Sequence, residues 1–555
     1  MKTRLFSAAV AALFVSSVHS ALAGSATWNL DPASGDWNTA ANWTPATIPN
    51  DPTDVATFVN SNLTDIFLSA QTHVDSVVFN PASGGFTFNT TGHGLAFFGA
   101  GVVNNSANEQ NFVTGVRDGG VIEFRNSATA GNGVFTVFGD AFQPYVFFYD
   151  TATAGDATFT NFGGFGGAVT WFFNSSTAGN ATFHNFSGGN GANDGVTVFE
   201  GRSTAGTATI VCDGGGAVFH AHSSAASSTL VANLGNITFL EHATAGEATV
   251  IANGGRSGQA GNGTIFFLDG DASAGDASLI ATGGHNNGHG GVIAFIGETR
   301  GDRARVQVFD NAVLDLTGHS ATASMSIGSV EGTGTVALGR NNLTVGRNDL
   351  DTAFSGVIED GAGMGGSLTK TGVGTLILGE SNTYTGGTTV ENGTLIIDSS
   401  AGSGTGTGFV QVNRGTLGGN GMISGLVTIG GDQVNRAILA PGVDEIGLLT
   451  IENPLTFASR ATYQWEVDTV AMTADKVVAA GVTISDGAIF SVTAAGTAAL
   501  PIGTVLIVID NTAAPAISGV FSNLPDGSSM SVGNNTFQAN YEGGDGNDLT
   551  LTIVP

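Results

Sequence analysis

The chain has 555 residues, of which 41% are hydrophobic and only 11% charged, and its 45 acidic and 16 basic side chains give a net charge of −29. A surface this acidic repels phosphate backbones and anionic lipid, which argues against nucleic-acid and charged-membrane partners. Cys212 is the only cysteine, so no intramolecular disulfide forms, and 85 glycines argue against helices, each costing a helix about 1 kcal/mol relative to Ala.

Lys2 and Arg4 precede the apolar stretch 5–18, and Ala21-Leu22-Ala23 supplies the small residues that a signal peptidase reads. Residues 1–23 are therefore predicted to be a secretory signal, cleaved before Gly24. No later stretch approaches the roughly 18 apolar residues of a spanning helix, so the mature chain is expected to carry no transmembrane segment.

Residues 24–59 hold Trp28, Trp37 and Trp43, three of the five tryptophans. One reading is a cap whose indoles cover the first open β-edge. The other is a glycan-binding platform on which sugar rings stack.

From 60 to 322 a phrase of the form Thr-Ala-Gly recurs. Its anchor falls at Gly131, Gly155, Gly179, Gly206, Ala226, Gly246 and Gly275, in steps of 24, 24, 27, 20, 20 and 29 residues. A fixed phrase at an elastic period of this size predicts the coils of a solenoid. Seven residues before the anchors stand Phe124, Phe148, Phe172, Phe199, Phe219, Phe239 and Leu268, and four after them Phe135, Phe159, Phe183, Ile210, Leu230, Val250 and Leu279. These are two apolar ladders, and the residues between them alternate as in half-buried strands. Cys212 falls in the column of Asn185 and Ala232, which predicts a small packed side chain.

The same register places a polar patch on the opposite parity. His222 and His242 share a column with Arg202 and Asp271, and His220 is expected beside Glu200 and Asp269. Side chains stacked about 4.8 Å apart in neighbouring coils are close enough for acid–base or metal chemistry. The plainer reading is a hydrated face on which His pairs with acids. Arg300, Arg303 and Arg305 are expected to balance local charge.

Between 323 and 442 the wording changes to Gly-Thr followed by an apolar residue, with the coil length retained. Here "GSLTKTGVGTLILGESNTYTGGTTVENGTLII" (366–397) resembles the autotransporter-associated β-strand repeat, a Leu-Thr-Lys-x-Gly-x-Gly-Thr-Leu strand followed by an Asn-Thr-Tyr-x-Gly-Gly-Thr turn. That resemblance implies a right-handed parallel β-helix of the passenger type, displayed on or released from a bacterial surface, and implies no chemistry. A translocator barrel would follow such a passenger, yet residues 443–555 read as short strands of a terminal β-domain, so export is expected to use another route.

Within that domain "GGDGNDLTL" (543–551) resembles one calcium-binding nonapeptide, with Asp545, Asn547 and Asp548 as oxygen ligands. A single copy reads more simply as a turn, so no cofactor is expected, with calcium as the alternative. No Ser-His-Asp context, phosphate loop, CxxC pair or HExxH occurs. The sequence thus predicts an all-β, right-handed parallel β-helix with an N-terminal Trp-rich cap and a C-terminal β-rich cap. The expected role is structural or adhesive at the cell envelope, with extracellular glycans or surface proteins as partners. A polysaccharide-processing enzyme using the outward His/Asp/Glu patch is the alternative from another class, and a glycan-binding module on the Trp cluster is a third.

Overall fold

A computed structural model describes residues 24–555 apart from 91, 117, 141, 190, 259–260, 321–324, 362 and 432–435. The signal predicted at 1–23 lies outside the described residues. The chain winds into a parallel β-solenoid of about 18 turns, which at about 4.8 Å per turn makes a rod roughly 85 Å long. Among the described residues the helical structure is the three-residue 3₁₀ turn Ala40–Asn42, and no helix is long and apolar enough to cross a membrane.

Two stacks run along the rod. The first begins with Trp43–Thr44 and Ala26–Trp28 and ends at Val357–Glu359. The second runs from Asp65–Phe67 to Ile489–Ala495. In the phrase region successive strands pair parallel and in register, with Phe148 opposite Phe172 on one stack and Phe135 opposite Phe159 on the other.

The repeated phrase is explained by its corner. Each anchor turns the chain in the left-handed region, at φ between 51° and 63° from Gly131 to Gly275. A Cβ on Gly155, Gly206 or Gly275 would stand 2.7 Å from the anchor carbonyl oxygen of the previous coil. Glycine is thus favoured on both counts, and Ala226 is the exception. Two residues earlier, the hydroxyls of Thr129, Thr153, Thr177, Ser224, Thr244 and Ser273 accept the anchor N–H at 3.0–3.1 Å. The Ala between them, as at Ala154 and Ala245, points into the core with no exposed surface.

Between the corners the phenylalanines stack. Phe97, Phe124, Phe148, Phe172, Phe199, Phe219, Phe239, Phe267 and Phe295 form one column with centroids 4.5–4.9 Å apart. Phe88, Phe112, Phe135, Phe159 and Phe183 form the other, at 4.7–4.9 Å. Ring stacking adds about 0.5–1.5 kcal/mol per pair to the burial of each side chain. No coil can bury its own ring face alone.

One rung departs from the expected register. Phe267, not Leu268, continues the column, because that coil carries an extra residue, Gly270, before the anchor. The insertion also removes Asp269 from the side of His220. Asp269 stands at the left-handed corner position (φ 56°) that Glu241 (φ 59°) and Ala221 (φ 55°) occupy in the preceding coils.

The core is not wholly apolar. Asn161 Nδ2 donates to Asn185 Oδ1 at 2.8 Å, Thr170 Oγ1 to Asn161 Oδ1 at 3.0 Å, and Asn185 Nδ2 to the Gly216 carbonyl at 2.7 Å. Cys212 follows Asn185 in this column and is fully buried, with Ala232 next. Burial pushes its thiol up to about 12.

A third stack opens at Met325–Ile327, where the wording of the repeat changes, and continues to Val482–Ile484. The C-terminal region closes the rod with a seven-stranded sheet. Met422–Ile423, Leu448–Ile451, Lys476–Ala479 and Val505–Asn511 pair parallel, and Asp548–Val554, Asn535–Gly543 and Ser529–Val532 add antiparallel strands. At the other end Trp28, Trp37 and Trp43 pack edge to face at 5.0 Å and rest on Phe58. They form the cap.

Candidate functional site

The outward histidines meet as the register arithmetic requires. His222 and His242 are stacked with centroids 4.9 Å apart and planes 13° from parallel. His242 Nδ1 contacts Asp271 Oδ1, and the other oxygen of Asp271 takes the Arg300 guanidinium at 3.1 Å. The contact with His242, reinforced by Arg300, holds the Asp271 carboxyl below its usual range. Arg202 precedes His222 in this column.

Glu200 and His220 are neighbours in the next column, with no hydrogen bond or ion pair between them among the described residues. Asp269 is not with them, as the Gly270 insertion dictates. Side-chain exposures of 56% for His242 and 46% for Asp271 make this an open face. Stacked imidazoles present their faces to each other, so their nitrogens do not converge on one point. Among the described residues no group of three or more His, Cys, Asp or Glu is arranged to hold a metal ion.

The neighbouring arginines are spoken for: Arg303 pairs with Asp276 at 3.0 Å and Arg305 with Glu331 at 2.7 Å. The Trp cluster is not a ligand platform. Trp28, Trp37 and Trp43 are 0–1% exposed and their indole N–H groups donate to the carbonyls of Leu63, Pro49 and Trp37. No ring face is left for a sugar because the first coil needs a lid.

In the terminal turn, Asp548 Oδ1 accepts from the Asn511 amide at 2.9 Å and Asn547 Nδ2 donates to the Ala513 carbonyl at 2.6 Å, while Asp545 is exposed. Two of the three suggested calcium ligands therefore tie the turn to the preceding strand and loop.

Of the residues that carry the resemblance at 366–397, Leu368, Lys370, Leu376, Asn382, Tyr384 and Leu395 face inward. Lys370 is 1% exposed and its Nζ donates to the carbonyls of Thr371, Gly372 and Asn392 at 2.6, 3.3 and 3.3 Å. Burial pulls it down to about 8, against the opposing pull of Asp349 and Asp351. Asn382 Oδ1 accepts from the Ile358 amide, and its Nδ2 donates to the Gly404 carbonyl, both at 2.7 Å. Tyr384, fully buried, bonds Thr388 Oγ1 at 2.5 Å. The motif is corner chemistry that satisfies backbone groups as three strands turn.

One outward cluster escapes a reading made from histidines alone. Tyr145, Phe147, Tyr149, Trp171 and Phe173 stand on the outer face of the first stack. Arg125, Tyr149, Phe173, Glu200 and His220 each precede their anchors by six residues, so the column that flagged Glu200 and His220 already led to this cluster.

Comparison with known proteins agrees with this architecture. The passenger-associated-transport-repeat family matches residues 368–397. The Adhesin BmaC autotransporter of Brucella suis biovar 1 (strain 1330) is 41% identical over 115 residues, which are 20% of this chain and 3% of that protein. An extracellular serine protease of Serratia marcescens is 38% identical over 118 residues, 21% of this chain and 10% of that protein. The matched stretches thus span a small part of either relative. The chain is a β-solenoid that carries the repeat of autotransporter passengers.

Proposed function

We propose that this is an exported solenoid, displayed on or released from a bacterial surface, with a structural and adhesive role at the envelope. The observation that carries the reading is the transport repeat at 368–397, seated without interruption in a parallel solenoid. The adhesin among the similar proteins supports it, as does the signal-like segment at 1–23. A long rod with few charges offers broad, shallow contact rather than a deep pocket. The test is to express the full chain with its N-terminal segment, fractionate the cells, and measure attachment of the purified protein to cells and matrix. Recovery in the cytoplasm alone, or no attachment to any surface, would overturn the reading.

A second reading is a polysaccharide-processing enzyme, which the contact chain from His222 through His242 and Asp271 to Arg300 favours. It requires that purified protein release new reducing or unsaturated sugar ends, and that His222→Ala with His242→Ala abolish the release while the fold persists. Undiminished release in that double variant rules the patch out.

A further inference from the structure

Every tryptophan and tyrosine on the outside of the described chain is in one place. Of the five tryptophans, Trp28, Trp37, Trp43 and Trp465 are at most 1% exposed, and of the five tyrosines, Tyr384, Tyr463 and Tyr541 are at most 6% exposed. The remaining three are Trp171, Tyr145 and Tyr149, half-buried on the outer face of two adjacent coils. They sit among Phe147 and Phe173, with centroid separations of 4.7 Å for Tyr145–Phe147, 5.1 Å for Tyr149–Phe173 and 4.9 Å for Trp171–Phe173.

The core does not need these rings. Beneath them Phe124, Phe148 and Phe172 already fill the interior. They also stop within one coil: the strand Gly195–Phe199 puts Val196 and Val198 in the columns of Val169 and Trp171. At the loop tips of the same coils Phe142 and Phe165 are 63% and 86% exposed.

Polar groups border the rings. Arg125 lies 4.5 Å above the Tyr149 ring and grips Glu123 through Nε and Nη2, each at 2.7 Å. Beside them is a cleft of about 210 Å³ whose wall is Phe147 and whose polar lining includes Gln71, His73 and Glu123. Aromatic surface with a few placed polar groups is the usual make-up of a small-molecule site.

We propose that this platform binds an uncharged glycan, with one sugar ring in the cleft against Phe147 and the rest of the chain passing over the outer edges of Trp171 and Phe173, since Arg125 and Phe173 cover Tyr149. A hexose ring has C–H faces that lie on aromatic rings and hydroxyl edges that bond to carboxylate, amide and imidazole, which is the pairing present here. Arg125 neutralises Glu123, and the net charge of −29 disfavours uronic, sulfated and phosphorylated sugars. The proposal rests on the adhesive reading and supplies its ligand class.

The test uses the full mature chain, an array of neutral and acidic oligosaccharides, phosphatidylcholine vesicles, and the attachment assay above. Neutral oligosaccharides are expected to bind and to change the fluorescence of Trp171. Phe147→Ala and Glu123→Gln are each expected to weaken binding at least tenfold with little change in melting temperature, whereas Trp171→Phe retains binding and loses the fluorescence change. Absence of binding to every neutral glycan, undiminished binding by Phe147→Ala and Glu123→Gln, or adsorption to the vesicles in place of glycan overturns the proposal. Attachment that survives Phe147→Ala with Trp171→Ala removes the platform and leaves the adhesive reading standing; glycan binding without attachment to any surface does the reverse.

Discussion

Ala226 lies directly below Gly246 in the anchor column, its carbonyl oxygen 2.9 Å from where a Cβ on Gly246 would stand, and it holds the same left-handed turn at φ 51°. It is the one non-glycine anchor from Gly131 to Gly275. An L-residue in that region costs about 1–2 kcal/mol, partly offset because Ala has less backbone freedom to lose than Gly. Ala226→Gly is therefore expected to stabilise the solenoid by about 0.5–1 kcal/mol. Gly246→Ala adds a clash to the strain and is expected to cost about 1–3 kcal/mol. Urea unfolding of the two variants checks both signs.

A neighbouring column sets a second test. Ser203 and Ser223 each bury a hydroxyl that finds no partner, whereas Ser176, equivalent in its coil, donates to the Phe173 carbonyl at 2.7 Å. The same position is Ala152, Ala243 or Ala272 elsewhere. Leaving a buried hydroxyl unpaired costs about 1–3 kcal/mol. Ser203→Ala and Ser223→Ala should each raise the unfolding midpoint, and Ser176→Ala should lower it. Equal shifts for all three would show that the Phe173 bond contributes nothing.

These columns also show how far a sequence carries such a fold. Anchor spacing alone put His222 on His242 and Cys212 between Asn185 and Ala232, because parallel in-register stacking makes equal offsets equal positions. The arithmetic failed where Gly270 lengthened a corner, sending Phe267 rather than Leu268 to the core and moving Asp269 away from His220. It also gave no sign that Lys370 turns inward, since a lysine reads as surface until three carbonyls are found around it. The fate of Trp28, Trp37 and Trp43 turned on whether ring faces were covered, which composition does not encode. Outward parity did contain Tyr149 and Phe173, but an outward aromatic carries no charge at neutral pH to mark it in the sequence.

The His242–Asp271–Arg300 chain is a surface network, and its strength is limited by solvent. Exposed pairs contribute roughly 0–1 kcal/mol and weaken with salt. Asp271→Asn is expected to cost less than about 1 kcal/mol at low salt, and nothing measurable at high salt. Because the Asp271 carboxyl is held below its ordinary range, its contribution is present above the unfolded value of 3.8 and is lost as the pH falls through the lower folded value. A loss on raising the pH within this acid window instead would contradict this arrangement.

Cys212 offers a reporter for the same coils. Its thiol is fully buried and raised to about 12 by burial, although Asn185 Nδ2 approaches its sulfur at 3.9 Å. The thiolate is the reactive form. Native protein at pH 8 is expected to resist iodoacetamide, with one equivalent taken up only when the coils around Cys212 open. Rapid labelling of the native chain would mean that this segment opens far more readily than the stacked phenylalanines imply.

Lys370 gives the most direct pH test. Its ammonium is buried in the corner of the passenger repeat and pulled down to about 8, against 10.5 for the free side chain. Between those values the unfolded chain binds a proton that the folded chain does not, so stability must rise with pH across that window and be flat with respect to this group below about 8. At 1.36 kcal/mol per pH unit the gain is on the order of 3 kcal/mol at most. Lys370→Met is expected to abolish the rise, yet it also strips the donor from the carbonyls of Thr371, Gly372 and Asn392. The variant should therefore lack this rise without being more stable than wild type at pH 10, while the Cys212 thiol, held above its ordinary 9.0 by burial, adds the same opposing fall above about pH 9 to both proteins. The difference in denaturant midpoint between the two proteins from pH 7 to 10.5 decides the matter, because the Cys212 and tyrosine contributions cancel in it: a difference that does not change with pH assigns any rise to another group, and one that moves against wild type as the pH rises means that the three carbonyls and the two aspartates outweigh burial.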